Sequence, residues 1–396
     1  MSENIYEKWD VPTVINAVGY ATRVGGSAPA DDVVESMKQA QHCFIEIDDL
    51  QKAASRCIAK HTGAEAGIVT CGAGAALTLA AAACLAGNDP DIMESLPDTS
   101  ALERKNIIYP RPHDFDYDHP VRMSGAKVLF VDYDALDALQ QIENSIDAQT
   151  AAVGYVWKRM NQSPTVEEVA DLAHRFHLPL IIDAALSLPP TEHLHRFISE
   201  GADLVAISGG KHLGGPQASG LLFGKRDLIR SAWVQMVDMD VRAGTWSLRE
   251  WMDEGWISRP PRHGIGRAMK VSKEAIIGLI TALEKYPQRD HAAELNIWKK
   301  RVDDLAEGLS EIKELDIKVL FPAPNGQPFP VLRVQCAEMT KVLLHLAQQR
   351  PKIILAEDEN NVEVAYLFPM HLRDEEIPLI VEGFKVACAA SEEPRA

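Results

Sequence analysis

Lys211 stands in the segment DLVAISGGKHLGGPQASGLLFG, between Asp203 and Gly224, among Gly209, Gly210, Gly214, Gly215 and Gly220. Glycine permits turns and close backbone approach. The segment is therefore either a surface loop, where most lysines sit, or a place cleared for a ligand against an amine. Asp183 closes the apolar run PLIID, 28 residues before Lys211, and is followed by Ala184 and Ala185. It is either a cap or turn former, or a partly buried carboxylate that needs a partner. A third feature is Cys71-Gly72-Ala73-Gly74-Ala75, between an apolar run and an alanine-rich one. It is neither GxGxxG nor a P-loop. It reads as a plain tight turn or as a phosphate cradle, in which free N–H groups and the helix dipole favour an anion. A lysine, a carboxylate and a phosphate cradle have one coherent joint use, binding pyridoxal 5′-phosphate (PLP). The lysine would form a Schiff base with the aldehyde, the carboxylate would pair with the pyridine nitrogen, and the helix start would hold the phosphate.

Such a trio must be brought together by its elements. Strand-like runs at 67–71, 106–109, 127–131, 151–157, 179–183, 204–207 and 221–223 alternate with helical runs at 75–87, 135–145 and 166–176. Continuous apolar strands between helices predict a mostly parallel, seven-stranded sheet covered on both faces. Ligands bind beyond the carboxyl ends of such strands, where all three features fall. After Pro260 the pattern becomes α+β, with helices at 268–283, 291–309, 339–348 and 379–390 and short strands between. The expected organisation is an N-terminal arm with helices over 1–60, a large α/β domain over 61–258 and a small α+β domain over 259–396. The tryptophan-rich segment 231–258 is expected to connect the last two. Within it, Trp233, Trp246, Trp251 and Trp256 suit packing better than a substrate cage.

The chain has 396 residues and a formal net charge of −17, which disfavours non-specific binding to nucleic acid or anionic membrane. The six scattered cysteines form no CxxC pair or metal-type spacing, which fits a reducing compartment. The first residues form no apolar signal region, and the longest apolar run is far short of the ~20 residues of a membrane span. A cytoplasmic location is expected.

The segment SGGKHLGGPQASG resembles the lysine motif S-G-D-K-x-L-G-G-P-Q-x-G of the selenocysteine synthase-like family of fold type I PLP enzymes, with Gly210 in place of the acidic residue. VINAVGYATRVGGSAP, HTGAEAGIVTCGAGAAL and GIGRAMKVSKEAIIGL are similar to other blocks of that family. The resemblance implies a PLP-binding large domain, a small C-terminal domain, and a homodimer or larger homo-oligomer. It implies the Schiff base on Lys211, the pyridine partner at Asp183, and phosphate contacts from Gly72, Ala73, Gly74 and Ser208. Ala73 and Gly74 replace serines common in relatives, which leaves more of the phosphate binding to backbone N–H groups. His113 is a candidate for ring stacking or acid–base work, or else a loop histidine. Arg23, Arg267 and Arg333 are candidates for a substrate anion, as is Arg122, because the guanidinium fork matches carboxylate and phosphate. Each is otherwise a surface arginine. Lys270 lies in the same block as Arg267.

With PLP, loss of the Cα proton opens several routes, and Lys211 is the natural base. The reaction favoured by the resemblance is β-elimination from a small amino acid or amino-sugar acid, giving a 2-oxo acid and ammonia. Racemisation, aldol cleavage, or a binding or regulatory role with little catalysis remain alternatives. No metal, nucleic-acid or membrane partner is expected.

Overall fold

A computed structural model describes residues 4–111, 117–158, 162–236 and 241–391. The chain divides into two compact units, Pro29–Gln288 and Met1–Ala28 with Arg289–Ala396. In chain order the elements begin with β1 (Val14–Ala17), α1 (Asp31–Gln41) and α2 (Ile47–Thr62). There follow β2 (Ala66–Thr70), α3 (Ala73–Ala86), α4 (Pro90–Ser95), β3 (Asn106–Pro110), α5 (Asp118–Met123) and β4 (Lys127–Val131). Next come α6 (Ala138–Ser145), β5 (Thr150–Val156), α7 (Val166–Arg175), β6 (Leu180–Asp183), α8 (His193–Ser199), β7 (Leu204–Ser208) and β8 (Gly220–Gly224). The sheet unit ends with α9 (Arg226–Val234), α10 (Glu250–Asp253) and α11 (Lys273–Lys285).

The seven-stranded sheet has the order β2-β8-β7-β6-β5-β3-β4. All neighbours run parallel except β8, which is antiparallel to both β2 and β7. Because β8 is reversed between them, β2 and β7 point the same way, and the carboxyl ends of β2, β6 and β7 share one edge. Successive side chains alternate between two cores, as a period of two requires. Ile68, Ile107, Ile181, Leu204 and Leu222 join one core, and Val69, Ile108, Ile182, Val205 and Phe223 the other. The alanine-rich α3 is buried nearly all round, which suits small side chains with high helix propensity. Helix α7 starts with a capping box, in which Thr165 Oγ1 accepts from the Glu168 N–H and Glu168 accepts from the Thr165 N–H.

The segment 231–258 is not the connector expected from the sequence. Trp233, Trp246 and Trp251 are buried in the same core as α3, and Trp233 Nε1 donates to the buried Asp48 carboxylate at 3.0 Å. The indole rings stack edge to face, and the Arg230 guanidinium lies 5.2 Å from the Trp251 ring centre and 5.6 Å from that of Trp256. Large aromatic area, rather than sequence position, draws the segment into the sheet unit.

The second unit contains β1, α12 (His291–Leu309), β9 (Asp316–Leu320), β10 (Val331–Gln335), α13 (Met339–Gln348), β11 (Lys352–Glu357), β12 (Val364–Leu367) and α14 (Ile377–Ser391). Its five-stranded sheet has the order β1-β11-β12-β10-β9, with only the β1–β11 pair parallel. These units divide the chain at other points than the composition suggests. Strand β1 pairs with β11, so of the region expected over 1–60 only residues 1–28 go with the C-terminal unit, while α1 and α2 stay with the large sheet. Helix α11 packs on α1 and α2, so it stays with the large sheet. Among the described residues no helix is long and apolar enough to cross a membrane.

Candidate active site

Three sequence features meet at the carboxyl edge of the large sheet. Gly72 precedes α3 with φ 148°, a backbone conformation suited to glycine. No side chain caps α3, so its first N–H groups point from a helix start that favours negative charge. Thr70 Oγ1 donates to the Gly72 carbonyl at 2.9 Å, and Thr78 Oγ1 donates to the Pro120 carbonyl at 2.8 Å. These bonds brace the turn from both sides. Gly220 lies opposite Thr70 on one side and Ser208 on the other. A Cβ on Gly220 would stand 2.5 Å from the Gly72 carbonyl carbon and 2.7 Å from the Ala73 nitrogen. The start of α3 therefore rests directly on β8, beside Ser208.

Asp183 ends β6, is 6% exposed, and accepts from the Ala185 N–H at 3.0 Å. The Trp157 N–H donates to its carbonyl at 2.9 Å. Lys211 follows β7 in a turn closed by the Gly215 N–H donating to the Gly209 carbonyl and the Gly214 N–H to that of Lys211. Burial pushes the Lys211 ammonium below the ordinary lysine range, and the Asp183 carboxylate partly opposes that shift. The two groups thus sense each other across the sheet edge.

The glycines serve the loop itself. A Cβ on Gly209 or Gly215 would meet Leu279 Cδ1 at 2.5 or 2.7 Å, so α11 supports the loop closely. A Cβ on Gly210 would lie 2.4 Å from Gln217 Cα. In this chain the loop closes over the space that the first carbon of the family's acidic residue would need. His212, next to the lysine, is buried, and its Nδ1 lies 2.7 Å from the hydroxyl of the fully buried Tyr286. The sequence reading missed this anchor and Leu279, because neither sits in the glycine-rich motif. The pairing of Gly220 with the start of α3 was equally hidden, since it joins residues about 150 positions apart in sequence.

Of the arginines, Arg267 is half-buried in the sheet unit, on a short 3-10 turn whose Gly266 packs against Leu79 of α3. Arg122 pairs with Asp118 at 2.7 Å. Arg23 and Arg333 belong to the other unit. Arg23 donates to the Leu355 carbonyl at 2.9 Å, and Arg333 lies 3.3 Å from Asp316 and also donates to Gln335. Lys270 is exposed. His113 lies outside the described residues.

The parallel sheet, the half-buried lysine, the buried carboxylate and the uncapped helix start define a fold type I PLP-dependent enzyme. The L-seryl-tRNA selenium transferase family model matches residues 124–243. D-glucosaminate-6-phosphate ammonia lyase of Salmonella typhimurium (strain 14028s / SGSC 2262) is 30% identical over 322 residues, 80% of this chain and 78% of that protein. The 5'-C-glycyluridine monooxygenase-decarboxylase of a Streptomyces species is 27% identical over 79% of this chain and 73% of its own length. A solved structure of D-glucosaminate-6-phosphate ammonia-lyase superposes with a TM-score of 0.80 at 26% identity, covering 99% of this chain and 100% of that one. The chain belongs to the selenocysteine synthase-like family of fold type I PLP enzymes, together with D-glucosaminate-6-phosphate ammonia lyase. It is a PLP-dependent lyase.

Proposed function

We propose that the enzyme removes ammonia from a 2-amino acid carrying a 3-hydroxyl, an amino-sugar acid or a smaller analogue, by Cα deprotonation and β-elimination. The observation that carries this reading is the placement of Lys211, in the turn after β7, at the same sheet edge as the buried Asp183 carboxylate that ends β6. The likeness to the Salmonella ammonia lyase supports the choice of substrate class.

The residues present fit PLP. The uncapped N–H groups from Ala73 onward, with Gly72 and Ser208, would hold its phosphate. Gly220, by lacking a Cβ, lets that turn sit against β8. Asp183 would keep a proton on the pyridine nitrogen, and Lys211 would carry the cofactor. When bound, PLP draws off the electron pair left on the substrate's α-carbon. Lys211, whose proton burial has already loosened, takes the Cα proton and can return one to the departing hydroxyl. Asp183 is held in place by the Ala185 N–H. Arg267, Arg23 and Arg333 remain candidates for the substrate's anionic groups, with His113 for acid–base work.

The same reading makes the protein a homodimer or larger homo-oligomer. The wholly exposed Phe44, with Ile45 and Ile47 beside it, supports this. No disulfide joins any of the six cysteines, which supports a reducing location such as the cytoplasm.

The test is a panel of 2-amino acids and amino-sugar acids, phosphorylated and not, assayed for ammonia and 2-oxo acid. Stoichiometric release of both from a 3-hydroxy substrate is the expected result. Inversion at Cα, an aldehyde product, or oxygen consumption as the Streptomyces relative's name describes would replace elimination with another reaction. No turnover with PLP bound would favour a binding role.

A further inference from the structure

Away from the lysine-bearing edge, α2 and α11 turn a mixed cluster of donors toward each other. Cys57 and His61 are four residues apart on α2 and so share one face. Glu284 stands on α11. The Cys57 sulfur, a His61 ring nitrogen and a Glu284 carboxylate oxygen all lie within 4.8 Å of one another. The helices meet directly here, since Cys57 Sγ is 4.0 Å from the Ile280 carbonyl oxygen, one turn before Glu284. His61 Nε2 is shut off from solvent and has no hydrogen-bond partner among the described residues. Buried polar atoms normally have one, so this atom needs an explanation.

We infer that Cys57, His61 and Glu284 form a site for a borderline-soft divalent cation, zinc by the chemistry of its donors. Magnesium and calcium prefer all-oxygen sets, whereas thiolate with imidazole and carboxylate suits zinc. Tetrahedral zinc bonds of ~2.0–2.3 Å set ligand atoms roughly 3.3–3.8 Å apart, which side-chain rotation reaches from the present spacing. Three protein ligands leave a fourth position for water or for the exposed His195 on α8. The Nδ1 of His195 lies 3.5 Å from where a Cβ on Gly63 would stand, just beyond the end of α2.

The site would act as a clip. Helix α11 carries Leu279, which supports Gly209 and Gly215 of the lysine loop. A cation bridging α2 to α11 fastens that support from the outside. None of its ligands takes part in the proposed elimination, so the inference stands or falls separately from that reading.

The holoenzyme would be stripped with a chelator and titrated with Co²⁺ as a spectroscopic probe, then with zinc as competitor. The expected result is one cobalt ion bound, with a near-ultraviolet thiolate-to-cobalt band that zinc removes. Cys57→Ser should lose the band, and Glu284→Gln should weaken binding at least ~10-fold. Zinc should raise Tm in the unsubstituted protein but not in Cys57→Ser. Absence of the band in the unsubstituted protein would overturn the site, as would its survival in Cys57→Ser. Should Cys57→Ser fail to fold, unchanged cobalt affinity in Glu284→Gln, an exposed change, would overturn it equally.

Discussion

The two sheets of this chain have strands of similar length and opposite uses for their ends. In the seven-stranded sheet, β5 and β8 bury every residue, and the parallel run gathers the ends of β2, β6 and β7 on one edge. In the five-stranded sheet, β9 buries no residue, and all pairs but one are antiparallel, so strand ends fall alternately on both sides. Parallel strands demand crossovers that cover both faces, and in return they align their carboxyl ends. That alignment brings together Gly72, Asp183 and Lys211, which lie far apart in sequence. The antiparallel sheet carries its charged side chains as local pairs, such as Arg333 with Asp316 across β10 and β9.

Substitutions at the two edges sharpen this contrast. The largest effect is expected for Lys211→Ala, at least ~10³-fold in kcat/KM, since the base is lost. Steady-state ammonia release reads it, and a residual rate near the unsubstituted one would break the assignment. Asp183→Asn should keep the fold and PLP binding yet cost roughly 10²-fold in kcat, as loss of a preorganised charge does elsewhere. Near-normal turnover would move the pyridine partner to another residue. Gly220→Ala drives a Cβ into the Gly72 backbone, and overpacking of this kind costs about 1–3 kcal/mol. Denaturant unfolding should show that loss, together with weaker PLP retention. Asp316→Asn breaks an exposed pair in the other sheet and should change stability by less than ~1 kcal/mol, read by denaturant unfolding.

A pH series adds a signed test on the cofactor-free protein. Burial lowers the Lys211 pKa in the folded state, so the unfolded chain binds that proton more tightly. Stability should therefore rise as pH climbs through the lowered value toward the ordinary lysine value, and level off above it. Lys211→Met should remove that rise and be more stable than its parent at neutral pH. A flat profile in the parent would mean that the amine is solvated after all.

Much of this was legible in the sequence because strong local signals coincide with what the fold requires. Apolar runs that end in glycine or aspartate marked β2, β6 and β7, and the helices His291–Leu309 and Met339–Gln348 follow their periodicity residue for residue. What stayed hidden depends on contacts between distant segments. Strand β1 is only four residues long and gains its identity from β11. The tryptophans of 231–258 look like a linker until α3 lies beside them. The short helices α4, α5 and α8 have too few turns for a period to show. At the site, Lys211 stood out in its glycine-rich motif and Asp183 at the end of the apolar run PLIID, whereas the Tyr286 anchor of His212 lies 74 residues away.

The pairing of β1 with β11 also orders events on the ribosome. Val14 is made early, but its partner Lys352 emerges on the order of 300 residues later. At ~5–20 residues per second, that is a wait of roughly 15–70 s. During that time the whole of Pro29–Gln288 has been synthesised and can fold, while Ile15 and Ala17, buried in the finished unit, have nothing to cover them. The beginning of the chain is thus among the last parts to be sheltered, and a nascent chain halted before β11 would offer that strand to chaperones.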